Sequence, residues 1–297
     1  MRTISGPTRH QGRFLTLSPT LAVYGLLTLL PVANLLYMSF HDITWLSGEA
    51  EWTAVGLRHY ASLPDDVLFR AGIANTTVFA LSAVGFQIVL GFALALLSTR
   101  VGRGRVVYRA IFLLPILVPG IVIGAMWKLM YNFDFGVINQ IASALGLPAR
   151  DWLGSAELAL AAVIVVDIWH WTPFVFLLLL AGLESLPQDV YEATKVDGAT
   201  AWQEFVHVTL PLMLPTIVVT LVFRLIVAFK VFDEVYLLTG GGPGTATEVL
   251  SFTIYRRFFA EDRAGYGAAM SIVVLFALAL AIVVAVSSLR RGEERAA

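Results

Sequence analysis

Asp167, His170, Trp171 and Phe174 stand at i, i+3, i+4 and i+7 in an otherwise apolar stretch, residues 158–183. On a helix that spacing puts all four side chains on one face. An ionisable residue at bilayer depth is costly unless it faces a cavity or a partner. A polar and aromatic stripe, with Pro173 to bend the helix, therefore suits the wall of a hydrated substrate path. Aromatic faces beside hydrogen-bonding groups also suit sugar rings, whose C–H faces stack and whose hydroxyls need partners. The competing reading is an internal Asp–His pair that only ties helices together. Further on, Lys230, Asp233 and Glu234 stand at i, i+3 and i+4, where they are expected to neutralise one another on one helix face. They serve either as a hydrated salt-bridge group near the outer end of a span or as a path contact. Arg224 lies deeper, on a different face, without a partner in its own helix; Asp167 or a residue of a second subunit would supply its counter-charge.

Other chemistries fail on residue types. The run Thr239-Gly240-Gly241-Gly242-Pro243-Gly244-Thr245 invites a nucleotide reading, but a P-loop needs a Lys after its last Gly and none is present. Its glycines read as a tight exit from a span, supplying positive φ. The chain has no cysteine, hence no disulfide, thiolate zinc site or cysteine nucleophile. His10, His41, His59, His170 and His207 show no metal-ligand spacing. No catalytic residue and no metal ligand is expected. A membrane-embedded enzyme using Asp167 and His170 as acid and base lacks the residues to complete a site and ranks last.

The elements that must hold these residues follow from composition. The 297 residues are 58% hydrophobic and only 14% charged, with mean hydropathy +0.79, against about 25% charge for soluble domains. The solvent is therefore lipid. With a net charge of −1, nothing points to nucleic acid. Long apolar segments at 15–40, 71–98, 111–131, 158–183, 213–238 and 268–289 predict six transmembrane helices and an all-α integral membrane protein. The first is too long for a signal-peptide core. The third carries Pro115 and Pro119, then Gly120 and Gly124 at a spacing that lets helices approach closely. Between the spans lie a polar, tryptophan-bearing segment 41–70 and an outer loop 132–157, with a short helix expected at 137–145. Six crossings put both termini on one side. Arg2, Arg9, Arg13, Arg100, Arg103, Arg105, Arg109, Lys195, Arg290, Arg291 and Arg295 fall on that side, against Arg58, Arg70, Arg150, Arg256, Arg257 and Arg263 on the other. The positive-inside rule then makes the termini cytoplasmic. No repeat or separate soluble domain is visible.

One cytoplasmic stretch is polar where its surroundings are apolar. Glu184, Asp189, Glu192, Asp197 and Glu204 face a single base, Lys195. The pattern reads as a short helix, a glycine break and a second short helix. Pro187 suits the first turn, Gly198 a left-handed stop, and Thr200 with Gln203 a capping box. Its acidity favours a protein partner over anionic lipid.

Glu192-Ala193-Thr194, then Gly198, then Val208-Thr209-Leu210-Pro211 resembles the EAA loop of ABC importer permease subunits. Thr194 and Val208 depart from the family's Ala and Ile while keeping size. The segment 232–243 and Tyr255-Arg256-Arg257-Phe258-Phe259 are similar to carbohydrate-importer permeases of the maltose and glycerol-3-phosphate type. The likeness spans roughly 15–289 and implies the type I ABC importer permease fold as one domain, with cytoplasmic tails at 1–14 and 290–297 and a coupling loop at 184–212. It implies a multi-pass subunit of a prokaryotic cytoplasmic (inner) membrane. Its expected partners are membrane lipid, a second homologous permease, two ATPase subunits and an extracytoplasmic sugar-binding protein. It implies no cofactor on this chain, ATP and Mg belonging to the ATPases. The coupling helix of 188–206 would enter the ATPase through Glu192, Ala193, Lys195, Asp197 and Gly198. The substrate path would run along Asp167, His170, Trp171, Phe174, Phe223, Arg224, Val227 and Lys230. The implied function is ATP-driven import of a sugar or polyol. The rivals are a stand-alone proton-coupled carrier and a permease of the same class for a non-sugar solute.

Overall fold

The structure, a computed structural model, describes residues 9–46, 49–100 and 104–296. Arg2 and Arg103 of the basic segments lie outside them. The element order is α1 (Arg9–Met38), a hairpin of β1 (His41–Leu46) and β2 (Glu49–Ala54), α2 (Arg58–Ser62), α3 (Val67–Arg100), α4 (Arg105–Leu117), α5 (Gly120–Met130), α6 (Val137–Ala144), α7 (Ala159–Glu184), α8 (Gln188–Val196), α9 (Ala201–Glu204), α10 (Leu210–Ala228), α11 (Asp233–Leu238), α12 (Leu250–Tyr255) and α13 (Ala264–Ala296). Five helices among the described residues are long and apolar enough to cross a bilayer. The pair Arg109–Leu117 and Gly120–Met130 makes a sixth crossing if its two arms are one span.

The sequence predicted that third span as one helix over 111–131. Instead it bends by 98°. Pro115 lacks the N–H that would continue the ladder, and Pro119 forces the residue before it out of the helical region. Val118 is accordingly extended, at φ −84° and ψ 128°. The fifth span also begins and ends earlier than the predicted 213–238. It runs from the loop as a continuous helical path, Ala201–Ala228, with a π-helical turn at Phe205–Thr209, and stops. Lys230 and Val231 donate their N–H groups three residues back, and the Ser251 hydroxyl donates to the Val231 carbonyl, so the ladder is closed off. Segment 41–70, read as polar loop, contains the antiparallel hairpin. The outer-loop helix falls where expected.

Two compact units are present, Asp65–Thr253 and Met1–Pro64 with Ile254–Ala297. In the first, Phe92, Ala95, Val175, Phe176, Leu179, Leu180 and Met213 form a buried apolar cluster joining α3, α7 and α10. Glycine permits the close approach. A Cβ at Gly91 would lie 2.7 Å from the Val175 Cγ1, and one at Gly182 2.7 Å from the Thr216 Cγ2. In the second unit α1 packs on α13, and β1 packs on both. The Ser39 hydroxyl meets the Tyr60 hydroxyl at 2.6 Å, and Arg58 pairs with Asp42.

Candidate functional site

α7 carries the polar stripe because the rest of its length is apolar enough to be held by the core on its other side. Asp167 and His170 are buried, while Trp171 and Phe174 are half-buried. Each polar group of the stripe is met from a different element. Arg224 of α10, fully buried at 0% exposure, donates Nη2 to the Asp167 Oδ2 at 2.8 Å and Nε to the Gln87 Oε1 at 2.8 Å. Gln87 of α3 donates its amide to the Asp167 carboxylate at 2.8 Å and to the Asp167 carbonyl at 2.9 Å. The guanidinium carbon lies 4.7 Å from the centre of the Trp171 ring. Carboxylate, amide and aromatic face thus share the compensation of one buried cation. The remaining nitrogen, Nη1, has no partner. One turn further along α7, the His170 Nδ1 is 3.1 Å from the Glu234 Oε1 of α11.

These side chains border a cavity of about 400 Å³ lined by Asp167, His170, Trp171, Val227, Lys230 and Glu234, with Gly120, Val231, Phe232 and Asp233 completing it. That volume lies in the range of about 300–1,000 Å³ usual for small-molecule sites. Of the eight predicted path residues, five line the cavity. Arg224 stands behind Asp167. Phe174 and Phe223 face each other at 5.2 Å, and Phe174 meets Trp171 edge-on at 6.0 Å, extending the aromatic wall.

The predicted trio of Lys230, Asp233 and Glu234 does not form. Lys230 lies in the turn after α10 and Asp233 opens α11, so no single helix face holds them. Glu234 turns to His170, and among the described residues no ion pair joins Lys230 to either acid. Lys230 and Asp233 are left as a cation and an anion on the cavity wall. Sequence reasoning missed Gln87, although an amide deep inside an apolar, small-residue span was a signal. It also missed how α11 is held. Gly120 and Gly124 put α5 against it, where added Cβ atoms would lie 2.8 Å from the Asp233 Oδ2 and 2.7 Å from the Leu237 Cβ.

The acidic stretch folds as its spacing predicts. Pro187 stands just before α8, as its N-cap, and not inside the first turn. Gly198 has φ 71°. The Thr200 side chain accepts from the Gln203 N–H at 3.3 Å while the Gln203 side chain accepts from the Thr200 N–H at 2.8 Å. Tyr191 to Thr209 at 3.1 Å and Thr194 to Glu204 at 3.3 Å tie the two arms together. The root is anchored where Arg109 of α4 meets Glu184 at 2.6 Å, and where Phe205 packs near Phe92 at 5.9 Å. α8 buries no residue. Glu192, Ala193, Lys195, Asp197 and Gly198 are all exposed, and Val196 at 88% and Trp202 at 71% exposure add apolar area. The elbow is thus acidic and exposed, with apolar side chains at its tips.

Among the described residues no group of three His, Cys, Asp or Glu is placed to hold a metal. Residues 87–293 match the sequence profile of a family described as the binding-protein-dependent transport system inner membrane component. The chain belongs to that family. This inner membrane component is a transport subunit, not an enzyme, and has the type I ABC importer permease fold. Over 272 residues it is 39% identical to the trehalose/maltose transport system permease protein MalF of Thermococcus litoralis, covering 91% of this chain and 90% of that one. Over 269 residues it is 36% identical to the sulfoquinovosyl glycerol transport system permease protein SmoG of Agrobacterium fabrum, covering 90% and 86%. It superposes with TM-score 0.82 and 27% identity on a chain of a bacterial ABC transporter involved in the import of the acidic polysaccharide alginate, covering 95% of this chain and 96% of that one.

Proposed function

We propose that the chain lines one half of a translocation path for a sugar or related polyol and draws its driving force from ATPase subunits bound at the elbow. The cavity carries the reading. It sets the Trp171 face beside an ammonium, carboxylates and an imidazole, the mixture of stacking surface, donors and acceptors that a polyhydroxylated ring requires. The names of its relatives point the same way, each referring to a saccharide or a saccharide derivative. A second, related permease supplies the other half of the path. An extracytoplasmic binding protein delivers the solute, and two ATPases hold ATP and Mg while this chain holds neither. In this reading residues 15–289 form the permease domain between tails 1–14 and 290–297, both termini are cytoplasmic, and the membrane is the prokaryotic inner membrane.

Asp167, His170, Trp171, Phe174, Phe223, Arg224, Val227 and Lys230 are the proposed path. Glu192, Ala193, Lys195, Asp197 and Gly198, within loop 184–212, are the proposed coupling surface. ATP binding drives the path from inward- to outward-facing only if it favours one global state over the other. The test is uptake by the reconstituted importer with its binding protein. Glu192→Ala should leave solute binding by the binding protein intact, preserve hydrolysis and abolish uptake; unchanged uptake counts against the elbow assignment. Uptake of amino acids or phosphate, with no saccharide transported, would overturn the substrate class. Family membership speaks against a proton-driven carrier acting alone, and uptake by the isolated chain under a proton gradient would revive it.

A further inference from the structure

The hairpin after α1 has two unlike faces. Its register pairs His41 with Ala54, Ile43 with Trp52 and Trp45 with Ala50, so these six side chains share one face. Asp42, Thr44, Glu49, Glu51 and Thr53 belong to the other. The aromatic face is the one turned toward the helix ends. Ile43 is buried, and β1 packs against α1 and the start of α13. The first turn of α13 is so close that only Gly265 fits beside the His41 carbonyl. Tyr37, in the last turn of α1, gathers with this face. Its ring lies 4.4 Å from His41 and 5.7 Å from Trp52, and His41 is 5.8 Å from Trp52. Beyond the helices the same face continues into open space. Trp45 is 63% exposed, Trp52 42% and Tyr37 57%.

We propose that this face is a bilayer-surface anchor, seated at the headgroup level where α1 leaves the membrane. Three observations select lipid as the occupant. The aromatic face is continuous, through the Tyr37–Trp52 contact, with a span, Leu17–Met38, in which no residue is fully buried within the protein. Tryptophan and tyrosine, with an apolar body and one polar tip, concentrate at membrane–water interfaces. The acids stand on the opposite face, away from headgroups that would repel them. The same aromatic and acidic faces would seat at either surface of the membrane. A two-stranded hairpin is marginal alone; here the helix ends support its inner half and lipid its outer half. Its consequence is to help fix the depth and tilt of α1, beside the packing of α1 on α13.

The test uses the assembled importer in proteoliposomes. Bilayers brominated near the headgroup should quench tryptophan fluorescence, and the double variant Trp45→Phe/Trp52→Phe should lose part of that quenching while quenching by iodide stays unchanged. Because the chain has no native cysteine, nitroxides at Trp45→Cys and Thr44→Cys give a second reading within one strand. Position 45 should favour oxygen and position 44 a water-soluble nickel chelate. If both positions favour nickel, the face stands in water and the proposal fails. If position 45 is shielded from both quenchers, a protein covers it and the proposal fails equally.

Discussion

Asp167→Asn removes one charge from a site that holds three polar side chains from three helices. The substitution keeps shape and leaves an oxygen for Gln87, yet Arg224, fully buried, loses the one carboxylate bonded to it among the described residues. Its Nη1 already lacks a hydrogen-bond partner among the described residues. Breaking a buried pair from one side costs about 3–5 kcal/mol, and a charge at the centre of a membrane helix about 2.5–3.5 kcal/mol. We expect Asp167→Asn to destabilise the assembled complex by about 3 kcal/mol. Arg224→Met should do similar damage by leaving the carboxylate unpaired. The double variant Asp167→Asn/Arg224→Met should recover most of the loss, because neither buried charge is then left uncompensated. The assay is equilibrium unfolding of the purified complex by detergent titration, run as a double-mutant cycle. If each single change costs under about 1 kcal/mol, the range of exposed pairs, and the two add, the pair is solvated and the reasoning fails.

Three further outcomes follow from geometry. Gly198→Ala meets open space but inherits φ 71°, so it should destabilise the elbow by about 1 kcal/mol, read as faster amide exchange over residues 188–204. Thr200→Ala should cost about 1 kcal/mol through the lost cap, with the same exchange signature and no change at the cavity. Gly124→Leu drives a side chain into Leu237; overpacking of this kind costs about 1–3 kcal/mol, lowers the melting temperature, and should weaken uptake by shifting α11 and the Glu234 partner of His170.

Local chemistry was the most legible part of the chain. The capping box, the left-handed glycine and the outer-loop helix are each fixed by residues a few positions apart, and each forms as spaced. The stripe on α7 was legible for the same reason. What hydropathy hides is where an apolar segment bends, since Val118 and Val231 are as apolar as their neighbours. The bend at Val118 follows from Pro119, a local cue outweighed by the apolar run. The stop after Ala228 depends on the Ser251 hydroxyl, a donor twenty positions away in sequence that no window detects. The hairpin escaped because each strand alternates over only six residues. Gln87 and Glu234 acquire their meaning only from helices brought beside them.

The run Ala201–Ala228 is one rod of helix, continuous through its π-helical turn from the exposed Trp202 to the buried Arg224. Twenty-two residues at about 1.5 Å each make an arm of about 33 Å. Tipping such an arm by about 5° about its Trp202 end carries the Arg224 end sideways by about 3 Å. That stroke is as long as the Arg224–Asp167 hydrogen bond itself, 2.8 Å. A slight nudge at the elbow therefore has enough reach to unlatch the charge pair behind the cavity wall, with no helix melting on the way.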